Sequence, residues 1–107
     1  MEKLMQDGKV AVIYSPGFGG GWSTWNWSHP DCVFDRDIAE LVLDRADPRE
    51  IERVAQAKWG QNDNYFFSGA AEELRVMWLE EGTRFEIREY DGNETVVTKH
   101  DIEWLTA

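Results

Sequence analysis

Between Val10 and Pro30 the chain reads VAVIYSPGFGGGWSTWNWSHP, a stretch without Asp, Glu, Lys or Arg in a protein whose residues are 30% charged. Four of the chain's nine glycines (Gly17, Gly19, Gly20, Gly21) and three of its six tryptophans (Trp22, Trp25, Trp27) fall there. Glycine at this density implies unusual backbone angles or close backbone approach, and indole at this density must bury large apolar faces. Both demands meet in a pocket wall or an interface, so the remaining residues are read around this ribbon.

The 107 residues suffice for one domain, 1–107, with a core that needs no metal or disulfide staple. Cys32 is the single cysteine. It cannot form an intrachain disulfide, and a reducing compartment, the cytoplasm of a host cell, is expected. No apolar run approaches the roughly 20 residues that span a bilayer, and the charged start MEKLMQDGK lacks the apolar core of a signal peptide. Membrane association is therefore not expected. Formal net charge is −10, and residues 70–107 hold ten acids against four bases. That balance argues against direct nucleic-acid binding, whose affinity comes from Lys and Arg on phosphates. It leaves a merely solvated acidic surface or one offered to a basic partner.

Lys9 to Tyr14, closed by Ser15-Pro16-Gly17, has the β-branched, continuously apolar pattern of a strand covered on both faces and central in its sheet. The glycine loop follows, then STWNW, where spacing permits one helical turn before His29-Pro30 ends it. Asp35 caps a helix carrying Ile38, Leu41 and Val42. Asp47-Pro48-Arg49-Glu50 starts a second with a capping-box pattern; Ile51, Val54, Ala55 and Trp59 line its face, and Gly60 stops it. Tyr65-Phe66-Phe67 is an aromatic knot expected under the domain. Leu74, Val76 and Trp78, then Phe85 and Ile87, alternate with period two. Asp91-Gly92 marks a hairpin before Thr95 to Thr98, and Ile102 and Trp104 suggest a last strand or edge. The fold class is α+β: an N-terminal strand and Gly-rich loop, two short helices, and a C-terminal antiparallel β-meander of three to four strands.

A strand running into glycines resembles phosphate-binding loops, but no Lys-Ser or Lys-Thr follows Gly21, and Trp22 occupies the third glycine position of the dinucleotide pattern. What remains is a flexible backbone concavity beside indole faces and the hydroxyls of Ser15, Ser23 and Thr24, which either contacts a ligand or is a structural turn packed on the tryptophans. Trp59, Trp78 and Trp104 sit on apolar faces and are expected in the core. Trp22, Trp25 and Trp27 are too close together to share one core direction, so at least one should reach a pocket or partner. Ser23 lacks the closing glycine of a nucleophile elbow. Any Ser/His/Asp set drawn from Ser15, Ser23, His29, His100 and Asp101 is no more than a chain of this length always offers. His29-x-x-Cys32 has a ligand spacing without enough partners for a metal site. No enzyme activity, catalytic residue, metal or cofactor is expected.

YSPGFGGGWSTWN and the later GTRFEIREYDGNE resemble a family of small uncharacterised proteins from bacteriophage genomes and prophages. The resemblance covers both ends and most of the chain. It implies an accessory role in host takeover or in countering host defence, and assigns no functional residue.

The leading expectation is a non-enzymatic protein that sequesters a small nucleotide-like ligand. Ser15, Phe18, Gly19, Gly20, Gly21, Trp22, Ser23, Thr24, Trp25 and Arg84 form its site. Amides of Gly19 to Gly21 would meet phosphate, Trp22 or Trp25 would stack on a base, and Arg84 or Arg88 would add positive charge. A homo-oligomer is expected, since one small domain offers little concavity. The alternative is an acidic inhibitor whose C-terminal sheet, through Glu86, Glu89 and Glu94, docks on a basic, nucleic-acid-binding host protein.

Overall fold

The computed structural model describes residues 2–98. The expected last strand at Ile102 and Trp104, with His100 and Asp101, lies outside them. Strands β1 (Met5–Gln6) and β2 (Lys9–Tyr14) form a hairpin through Asp7 and Gly8, both at positive φ. Asp7-Gly8 is the same turn signal read at Asp91-Gly92, and sequence reasoning passed over it because β1 is only two residues long.

Helices α1 (Arg36–Leu43) and α2 (Pro48–Ala55) follow a 3-10 turn at Pro30–Phe34. The Asp35 carboxylate accepts the Ile38 N–H at 3.1 Å, the expected cap. Asp47 accepts from the Arg49 N–H at 2.9 Å, with Pro48 in the first turn. The capping box itself does not form: Glu50 turns outward to Arg53 Nε at 3.0 Å, a charged partner one turn away that outcompetes the backbone N–H. A π turn over Gln56–Gly60 continues α2 and carries Trp59.

Strands β3 (Arg75–Glu80), β4 (Phe85–Tyr90) and β5 (Asn93–Thr98) complete the chain. They divide between two sheets. β3 pairs antiparallel with β2, giving the order β1-β2-β3 with β2 central, while β4 and β5 form a separate hairpin. The architecture is thus α+β in the expected element order, arranged as three layers. Ala11 and Ile13 of β2 face Ile38, Ala39, Ile51 and Ala55 of the helices. Val12, with Met77 and Leu79, faces Phe85, Ile87 and Val96 of the hairpin. A strand covered on both faces needs apolar residues at successive positions, which is why KVAVIY does not alternate. Among the described residues no helix is long and apolar enough to cross a membrane.

Candidate functional site

The glycine loop leaves β2 at Tyr14 and is held along its length by the start of β5. Ser15 O accepts the Glu94 N–H at 2.6 Å, Pro16 O accepts the Asn93 side-chain amide, and the Gly19 N–H donates to Asp91 O at 2.7 Å. Gly92, at φ +86°, lies against the Gly19 and Gly20 amides so closely that a Cβ on it would come within 2.9 Å of Gly19 N. Gly20 is buried, and a Cβ there would meet the Phe67 ring at 2.8 Å. Gly20 and Gly92 therefore serve close approach, whereas Gly19, at φ +92° with open space where a Cβ would stand, serves the turn itself.

At the centre of the loop stands Glu94, 1% exposed. One carboxylate oxygen accepts the Ser15 N–H at 2.8 Å. The other accepts the Trp22 N–H at 2.8 Å, the Thr24 N–H at 3.1 Å and, in a short bond, the Thr24 hydroxyl. Converging N–H groups make an anion-binding nest. Here the anion is carried by the chain itself.

This arrangement places the residues expected to bind a ligand in two groups. Ser15, Gly20, Gly21 and Trp22 are buried. The Ser15 hydroxyl donates to Gly20 O at 2.8 Å. Trp22 is 2% exposed; its Nε1–H donates to Cys32 O at 2.9 Å, and its ring meets Trp59 and Phe66 edge-on at 5.8 and 6.0 Å. It has no free face on which a base could stack, and the amides that converge on a carboxylate, those of Ser15, Trp22 and Thr24, flank the expected glycines and already hold Glu94, while the Gly19 N–H goes to Asp91 O. Likewise Glu94 is no part of an acidic docking face. Phe18 and Gly19 are exposed, and Ser23 and Thr24 are half-buried. Trp25, 36% exposed, tilts over Phe67 at 5.0 Å and donates Nε1–H to Glu89 at 3.3 Å. Arg84 is exposed before β4, and Arg88 pairs with Glu86 at 2.8 Å.

Two outward-facing aromatics lie outside the ligand site that the sequence predicts. Trp27 is 81% exposed, and Tyr65, expected beneath the domain with its neighbours, is 92% exposed while Phe66 is buried. The Asp63 carboxylate, accepting the Tyr65 N–H at 2.9 Å, turns the chain there and swings Tyr65 out. A cleft of about 440 Å³ lies between Trp25, Asn26, Trp27, Ser28, Asp63 and Tyr65. On the other side of Trp27 a groove of about 320 Å³ runs past Ser23, Thr24, Pro30, Val33, Phe85, Glu86 and Ile87. Neither is lined by Lys or Arg. The floor of the cleft is tied by hydrogen bonds: Asn26 donates to Trp22 O at 2.9 Å and Phe67 O at 2.8 Å, and accepts the Phe67 N–H at 2.8 Å. His29 Nε2 lies 2.8 Å from Asp63, and this bond, with those from Tyr65 and Ser28, holds the Asp63 carboxyl below the usual carboxylate range.

Other polar groups are engaged structurally. Lys58 bridges Asp37 at 2.7 Å and the buried Asp35 at 3.3 Å, which raises its pKa. Among the described residues no group of three or more His, Cys, Asp or Glu is placed to hold a metal ion. No family model, curated protein or solved structure matches the chain.

Proposed function

We propose that the chain is a non-enzymatic binding protein that docks on a basic protein surface through the aromatic, acid-flanked side of the molecule that bears the glycine loop. The observation that carries this is a contrast: the loop's amide nest is filled from within by Glu94, whereas Trp25, Trp27 and Tyr65 stand open beside Asp63 and Glu89. Exposed aromatics are the side chains that anchor protein interfaces, and an arginine laid on an indole gains both cation–π attraction and the nearby carboxylates. Net charge of −10 adds steering toward such a partner. The motif resemblance to phage proteins fits a host protein as target and an accessory role in takeover or counter-defence.

The second reading keeps a nucleotide-like ligand but moves it. A base would stack in the Trp25–Trp27–Tyr65 cleft, whose volume of about 440 Å³ falls within the usual ligand range, and its phosphate would point away from the glycine amides. An arginine-rich peptide and a panel of nucleotides, each titrated while tryptophan fluorescence is followed, separate the two. Peptide binding that weakens steeply with salt and falls about tenfold or more in Trp27→Ala and Tyr65→Ala supports docking. Nucleotide binding, insensitive to salt and lost in the same variants, supports the second reading. Binding of either that ignores both substitutions removes this surface from consideration.

A further inference from the structure

We infer that β4 is a dimerisation edge, on which a second copy of this chain adds its own β4 antiparallel to form a continuous four-stranded sheet, β5-β4-β4-β5. Among the described residues β4 has a strand neighbour on one side only. The Asp91-Gly92 turn, with φ of +50° and +86°, is a two-residue hairpin, so Tyr90 and Asn93 exchange both backbone bonds and the pattern alternates from there. Residues 86, 88 and 90 are therefore bonded to β5, and Phe85, Ile87 and Glu89 turn their N–H and C=O groups outward. The Glu94 N–H, opposite Glu89, confirms the phase: it donates away from β4, to Ser15 O.

Those outward groups and the side-chain charges select one register. Pairing Ile87 with Ile87 of the other copy aligns Phe85 with its Glu89, so that every outward N–H and C=O of the three residues meets a complement. The same register sets Glu86 opposite Arg88 of the second copy, twice by symmetry. It does so at the non-hydrogen-bonded positions, where facing side chains come closest. Glu86 and Arg88 are both exposed on the face turned away from the core, and they already attract each other within one chain at 2.8 Å. An isologous contact requires a self-complementary patch, and the run Glu86-Ile87-Arg88 is one. The groove beside this edge, walled on the core side by Pro30, Val33, Phe85 and Ile87, supplies apolar surface to bury along with the backbone bonds. No Pro or bulge blunts the strand, and the charges that project from its outer face, Glu86 and Arg88, are of opposite sign and so complement a second copy instead of repelling it.

Sedimentation at about 0.15 M salt, where screening limits repulsion between two acidic chains, tests the register through charge. The wild type should dimerise with rising concentration. Glu86→Arg and Arg88→Glu each set two like charges face to face across the two-fold axis and should weaken the dimer about tenfold. Mixing the two single variants should restore it as a heterodimer, because every cross-strand pair is then opposite in sign. Within each chain of that mixture the 86–88 pair remains like-charged, so recovery cannot come from the intrachain pair. A wild type that stays monomeric at all concentrations, single variants that dimerise normally, or a mixture that fails to recover would each overturn the inference.

Discussion

Glu94 shows how far one side chain decides what the glycine loop is. A carboxylate is acceptor-only, and its neighbours here are three backbone N–H groups and a hydroxyl. Among the described residues it has no Lys or Arg partner, so its charge is met by aligned backbone dipoles. Glu94→Gln keeps the shape but turns an NH₂ group toward donors, and should destabilise the fold by about 2–4 kcal/mol. Glu86→Gln, at an exposed ion pair, should change it by no more than about 0.5 kcal/mol. Urea unfolding monitored by tryptophan fluorescence measures both, and equal effects would mean that the nest is not built around the carboxylate. The expectation set Glu94 on a docking face with Glu86 and Glu89, although the strand pattern points against it. Glu94 and Val96 are two apart in a strand and share a face, so an acid at that position was already aimed inward. What the sequence could not show is that the amides it meets lie 70 to 79 residues earlier.

At the scale of elements, the hairpin β4–β5 works as a clamp on the loop through its turn. Gly82 and Gly92 both sit at positive φ, +89° and +86°, but only Gly92 is packed against another backbone. Gly82→Ala should therefore carry the conformational cost alone, about 1 kcal/mol. Gly92→Ala adds a Cβ on the Gly19 and Gly20 amides and should cost at least about 3 kcal/mol, since the loop must move. Unfolding midpoints of the two variants check the difference; similar midpoints would place the hairpin turn away from the loop. Helix starts were readable because Asp35 and Asp47 cap through local bonds. The destination of Glu50 was not, because two partners at similar range competed for it.

For the molecule as a whole, Cys32 reports on the closure of the helices over the central sheet. It is fully buried within the helix-side core, and burial foremost, then the nearby charges of Glu94 and Asp35, pushes its thiol pKa up. The thiolate, the reactive form, is thereby suppressed until the structure opens. An aromatic disulfide reagent should modify the native protein only at its rate of unfolding, and one thiol per chain at once in denaturant. Glu94→Gln should accelerate the native reaction; rapid labelling of the untouched wild type would contradict this packing. Local order alone specified the class, the two capped helices, the Asp91-Gly92 turn and the doubly covered β2, because each follows from spacing or bonds within a few residues. That Trp22, Trp25 and Trp27 must part ways was also written in their crowding. Which of them went inside, that β3 joined β2 while β4 and β5 stood apart, and that a buried carboxylate took the place of an outside anion were decided by contacts between distant segments. Such contacts depend on which surfaces fit when the layers close, and no periodicity along the chain records that.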